Sequence, residues 1–188
     1  MMVYRNGGSG AGLHGINAPV PTSLPLSFPI FYGVTLLDLG ATSSAPAMLL
    51  EQGTGGFLRD LIVSGWEVGL EITGTEACNQ ALGSGIDVSS SIFFGNLADF
   101  SADTDCIDEV AFGTDPGRDN LFVDPLLLDP TAAAYPDLRP ASGSPATTGA
   151  IPPTDGFFDS SHAYRGGNAP AVVTRSNIPW YAGWTRWF

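Results

Sequence analysis

Leu58-Arg59-Asp60-Leu61-Ile62-Val63-Ser64-Gly65 and Val88-Ser89-Ser90-Ser91-Ile92-Phe93-Phe94-Gly95 share one pattern: an aliphatic residue, three variable positions, Ile, two mostly apolar positions, then Gly. Leu26-Ser27-Phe28-Pro29-Ile30-Phe31-Tyr32-Gly33 fits it as well, which separates the three Ile residues by 32 and 30 positions. A further step of 30 reaches Phe122 in Leu121-Phe122-Val123-Asp124-Pro125. Between these segments lie shorter β-like stretches, Val34–Leu37, Ala47–Leu50 and Val68–Ile72, each with Gly, Thr or Ser within three residues of an end. Self-similarity at such a period is the sequence sign of stacked repeats, in which one unit cannot bury its own inward side chains.

The repeat predicts an all-β fold, a right-handed parallel β-helix (β-solenoid) of about three to five coils with a long irregular C-terminal cap. Equivalent strands then stack in parallel ~4.8 Å apart, with Gly33, Gly65 and Gly95 at corners where a positive φ favours glycine. The alternative is a β-sandwich whose hairpins share composition, but its Asn-Gly and Asp-Gly turns are sparse here. Residues 1–125 read as the coils. Residues 126–188 read as an extended Pro-, Ala- and Ser-rich segment followed by an aromatic cap.

Composition agrees with short elements. The 188 residues include 24 Gly and 15 Pro, which cost roughly 1 and 3 kcal/mol in helix interiors and so disfavour long helices. Charged residues are only 14%, the net charge is −12, and all seven basic residues are Arg. A chain without Lys has no Walker P-loop lysine and no Schiff-base lysine. The acidity argues against nucleic acid and anionic membrane surfaces, and no apolar run is long enough to span a bilayer. The start, Met1-Met2-Val3-Tyr4-Arg5-Asn6-Gly7-Gly8, is not a signal peptide. Yet the acidity, the lack of Lys and the Ser, Thr and Gly content suit an extracellular or cell-surface protein. The chain is therefore expected to be a mature or C-terminal portion of something longer, or a truncated gene product. Cys78 and Cys106 are expected to form a disulfide, as an even, low Cys count in a secreted chain suggests; two unrelated thiols are the alternative.

Residues 99–119 carry seven acids against one Arg and read as a long acidic loop. Within it Asp103, Asp105 and Asp108 offer the hard oxygen ligands that a structural calcium takes, although the register is not that of an EF-hand; a solvated acidic loop is the plainer reading. No other cofactor is indicated. The C-terminal stretch places Trp180, Tyr181, Trp184, Trp187 and Phe188 close together. These aromatics suit a cap, a sugar-stacking platform or a contact between subunits.

One resemblance runs through the second half of the chain. Asp129-Pro130, Tyr135-Pro136-Asp137-Leu138-Arg139-Pro140-Ala141-Ser142-Gly143-Ser144-Pro145-Ala146, Asp155-Gly156-Phe157-Phe158-Asp159, Tyr164-Arg165-Gly166 and Trp180-Tyr181-Ala182-Gly183-Trp184-Thr185 resemble the C-terminal end of secreted bacterial right-handed parallel β-helix proteins. Asn6-Gly7-Gly8, Pro25-Leu26-Ser27-Phe28-Pro29 and Gly53-Thr54-Gly55-Gly56 resemble the coils that precede that ending. The sequence departs from the pattern at Gly166-Gly167-Asn168-Ala169-Pro170, where Gly-Ala-Phe is usual. The resemblance implies a fold and an extracellular address, and little chemistry.

No GxSxG, HExxH, GxGxxG or GxxxxGK[ST] motif is present. Only His14 and His162 could serve as bases at neutral pH, and a Ser9, His14 and Asp combination arises by chance in most chains. No catalytic residue is therefore assigned. The expected function is non-enzymatic: an extracellular structural protein, a subunit of a surface scaffold or filament, with itself as partner through head-to-tail contacts near the aromatic tail. The alternative is a carbohydrate-binding or pectate-lyase-like module acting on a cell-surface glycan. Its nearest candidates are Arg59 with Asp60, or Arg118 among Asp115 and Asp119, which structural ion pairs explain equally well.

Overall fold

The computed structural model describes residues 1–5, 10–17, 20–40, 44–103, 106–132 and 136–170. Its first eleven strands are short: β1 (Met2–Arg5), β2 (Leu13–Gly15), β3 (Ile30–Tyr32), β4 (Thr35–Asp38), β5 (Met48–Glu51), β6 (Gly56–Arg59), β7 (Ile62–Ser64), β8 (Val68–Thr73), β9 (Ile86–Ser89), β10 (Ile92–Phe94) and β11 (Ala98–Phe100). Each pairs with the third strand further along the chain, so three sheets form in the orders β1-β4-β7-β10, β2-β5-β8-β11 and β3-β6-β9. All of these pairings are parallel.

Two helices interrupt the strands: α1 (Thr75–Leu82) between β8 and β9, and α2 (Glu109–Thr114) after β11. An antiparallel pair, β12 (Leu127–Asp129) and β13 (Asp137–Pro140), follows. This corrects the fold expected from sequence. The arrangement is a mixed one of three parallel sheets of three or four strands with two helices, not a closed all-β solenoid. The reason is local. Gly and Pro exclude long helices, but Thr75-Glu76-Ala77-Cys78-Asn79-Gln80-Ala81-Leu82 holds several strong helix formers between Gly74 and Gly83. It buries Ala77, Cys78 and Ala81 on one face. The shorter α2 starts at Asp108, whose side chain accepts the Ala111 N–H at 2.8 Å, a normal N-cap.

Alternation along the strands sends one set of side chains into a shared core. Leu36, Val63 and Phe93 come from the first sheet, Met48, Leu50, Leu70 and Ile72 from the second, and Leu58, Ile86 and Val88 from the third. All join Trp66 and the buried face of α1 in one apolar cluster. Many are in register: Leu36 lies beside Val63 and Val63 beside Phe93, and Leu58 lies beside Val88. The disulfide Cys78–Cys106, with Cα atoms 5.9 Å apart, ties α1 to the segment ahead of α2. A cross-link closing a loop of this size contributes roughly 2–4 kcal/mol.

Two of the sequence alignments shift. Ile62 and Ile92 are indeed register partners, but Ile30 pairs with Phe57, and Ile62 pairs with Thr35. The Ile30 segment was thus matched to the wrong strand of the next turn. The last rung is Leu121, bridged to Ile92, rather than Phe122. The corners divide accordingly. Gly65 and Gly95 follow β7 and β10 with φ of 81° and 67°, whereas Gly33 matches the left-handed residues Asp60, Ser90 and Asp119.

The segment after β13 returns across the first sheet. Ala146 packs with Ile62 and Ile92, the Gly166 N–H donates to the Asp60 carbonyl at 2.7 Å, and the Gly167 N–H donates to Thr35 Oγ1 at 3.0 Å. Thr35, Ile62 and Ile92 form one row across β4, β7 and β10, so this strap covers a single row of the sheet's outer face.

Candidate functional site

Strands β6 and β9 alternate buried and partly exposed residues, which turns Phe57 and Arg59, and Asp87 and Ser89, away from the core. Phe57 lies beside Asp87 and Arg59 beside Ser89. The next rung is not a strand but the short 3-10 turn Pro116–Arg118, held there by the Ser90 N–H donating to the Arg118 carbonyl at 2.7 Å. Arg59 and Arg118, distant in sequence, thereby converge on one carboxylate.

Arg59 Nε and Nη2 meet Asp87 Oδ2 at 2.6 and 2.5 Å, and Arg118 Nη1 meets Oδ1 at 3.0 Å. The Ser89 hydroxyl donates to Oδ2 at 3.1 Å. Each guanidinium also stacks on an aromatic ring, Arg59 on Phe57 at 4.7 Å and Arg118 on Phe112 at 3.5 Å. Beside them opens a cleft of about 280 Å³ lined by Arg59, Asp87, Ser89, Ser90, Arg118, Asp119 and Ile151, among others.

Behind the cleft lies a buried polar clasp. Arg165, 4% exposed, donates to the carbonyls of Ser90 at 2.7 Å and Thr148 at 2.8 Å and meets Asp119 at 3.0 Å. The Asp60 carboxylate accepts the Ile151 N–H at 3.1 Å. Burial pushes the Asp60 carboxyl above its ordinary range, against the opposing pull of the Tyr32 hydroxyl, the Ile151 N–H, Arg165 and Arg59. Tyr32 is pushed up in turn by burial and then by Asp60. His162 sits between Tyr32 and Tyr164, with ring centroids 5.3 and 3.8 Å away, and burial lowers its pKa.

The other residues singled out from sequence are dispersed. Arg59 and Asp60 point to different tasks, one to the cleft and one to the clasp. Arg118 turns to Asp87 rather than to Asp115, whose side chain accepts the Gly117 N–H. Asp103 accepts from the Ser101 hydroxyl at 2.9 Å and Asp108 caps α2, while Asp105 lies outside the described residues. Among the described residues, no group of three or more His, Cys, Asp or Glu side chains is placed to hold a metal ion. His14 pairs with Glu51 at 2.8 Å on an exposed face, and Ser9 lies outside the described residues. So do Trp180, Tyr181, Trp184, Trp187 and Phe188.

Sequence reasoning missed Asp87, Ser89 and Arg165. The signal for the first two was Ile86-Asp87-Val88-Ser89, whose alternation puts both polar residues on the outer face. It also missed Glu109, which is 1% exposed. Glu109 Oε1 accepts the Ile72 N–H at 3.2 Å, while Oε2 is buried with no partner among the described residues. Burial pushes its carboxyl up to about 7.

No family model, no curated protein and no solved structure matches the chain. No helix of the described residues is long and apolar enough to cross a membrane.

Proposed function

We propose that this chain is a non-enzymatic extracellular structural protein, a subunit of a scaffold or filament that joins head to tail. One observation carries the reading: all three parallel sheets end on the same side, at β1, β2 and β3, whose outer edges pair with no described strand. Unpaired edges of this kind template the addition of further strands unless they are covered. The opposite side is dressed differently. Leu121 bridges β10, the 116–118 turn meets the residue after β9, and α2 packs against β11. That end presents Val110, Phe122 and Val123, each more than 40% exposed, as an apolar surface for the next subunit. A contact between two unlike ends does not close on itself and so builds a linear polymer. The disulfide suits an oxidising, extracellular setting.

The backbone shows where to block such a joint. Phe57 N–H donates to the Pro29 carbonyl and Gly33 N–H to the Arg59 carbonyl, so residues 29, 31 and 33 face β6 and the Ile30 N–H faces the open side. Ile30→Pro removes that outward donor without touching the β3–β6 ladder. In sedimentation velocity the intact chain is expected to form a concentration-dependent series of oligomers, and the variant to run as a monomer with an unchanged circular dichroism spectrum. Oligomers that persist in the variant, or an intact chain that is monomeric at every concentration, would contradict the proposal.

A further inference from the structure

We propose that the cleft beside Arg59, Asp87 and Arg118 binds the carboxylate of an acidic sugar, a single uronate ring. The site does not rest on the polymer reading, although its Gly117 and Arg118 belong to the turn at the dressed end of the sheets. Each guanidinium is fixed on two sides, by an aromatic face and by one Asp87 oxygen. That leaves Arg59 Nη1 and Arg118 Nη2 without a hydrogen-bond acceptor among the described residues, and Arg118 Nε buried without a partner. Guanidinium edges held in this way are matched to a carboxylate and lose little freedom on binding one.

The local charge points the same way. Arg59 and Arg118 line the cleft against the Asp87 carboxylate, and Arg165 stands behind it against Asp119, while the nearby Asp60 side chain is turned to the Ile151 N–H. Elsewhere among the described residues, Arg5 and Arg139 each face a carboxylate of their own, Asp38 and Asp137. A chain with a net charge of −12 thus gathers cations here. Ser89 and Ser90 line the same cleft, and Ile151, 59% exposed, offers an apolar edge. A volume of about 280 Å³ lies at the small end for ligand sites and suits one ring rather than a long ligand.

The test is a 1H–15N NMR titration of the full chain at low ionic strength with sodium glucuronate, glucose and sodium acetate. Glucuronate is expected to shift the Ser89, Ser90 and Gly117 amides saturably, acetate to act about tenfold more weakly, and glucose to leave them unmoved. Arg59→Gln should weaken glucuronate binding about tenfold, and Asp87→Asn should tighten it, because the paired guanidinia lose their internal counter-ion. If Asp87→Asn does not fold, Arg59→Lys serves: charge is kept and the fork is lost, so binding should fall while the unfolding midpoint stays put. No saturable shift with glucuronate, equal responses to all three probes, or weaker binding in a folded Asp87→Asn protein would overturn the assignment.

Discussion

At Gly65 the backbone takes a φ of 81°, and a Cβ built there would stand 2.0 Å from the Asp38 carbonyl oxygen. Both the conformation and the space demand glycine. Gly65→Ala is expected to cost about 2 kcal/mol or more, read as a lower midpoint in urea unfolding. Glu109 makes a prediction of opposite character. Its carboxyl, beside Glu71 and Asp103, titrates near 7 in the folded chain and near 4.5 when unfolded. The folded state therefore holds the proton more tightly, so the contribution is fully present below pH ~4.5 and is lost as pH rises to ~7. A gap of that size corresponds to about 3 kcal/mol. Asp60 and Glu71, also raised by burial, act with the same sign, so the comparison to make is with Glu109→Gln. Stability of the native chain should fall across this window relative to that variant; parallel curves would contradict the assignment.

Among the elements, the strap of residues 144–167 depends on Arg165. Its guanidinium is the donor for the Ser90 and Thr148 carbonyls, while its ion-pair partner Asp119 is largely solvated. Arg165→Met should cost about 3 kcal/mol, mainly from carbonyls left without a donor rather than from the lost ion pair. Hydrogen exchange should report it locally, with faster exchange at Ile151, Gly166 and Gly167 and unchanged protection in β7 and β8. Uniform loss of protection would mean that the strap and the sheets form one cooperative unit. The same scale shows what the sequence could disclose. The Ile62 and Ile92 rung and the Gly65 and Gly95 corners were legible because the two turns have nearly equal length. The Ile30 rung was not, because every turn carries three apolar strands and Ile30 on β3 looks like Ile62 on β7. The helices escaped notice because each is a brief run between punctuating residues. The Arg59–Asp87–Arg118 cluster was only half visible: Arg59 and Arg118 stood out singly, and nothing in a linear reading says that a 3-10 turn places Arg118 one rung beyond Asp87.

For the molecule as a whole, the sheets give it two unlike ends, one of strand edges that pair with no described strand and one dressed by α2, the 116–118 turn and Leu121. The guanidinium cleft runs from β6 and β9 to that dressed end, where it takes in Gly117 and Arg118. Electron microscopy of the intact protein as cells release it tests the central claim most directly. The account predicts unbranched filaments with an axial repeat of one subunit, absent in Ile30→Pro; dispersed particles of single-chain size, or filaments that survive that substitution, would contradict it.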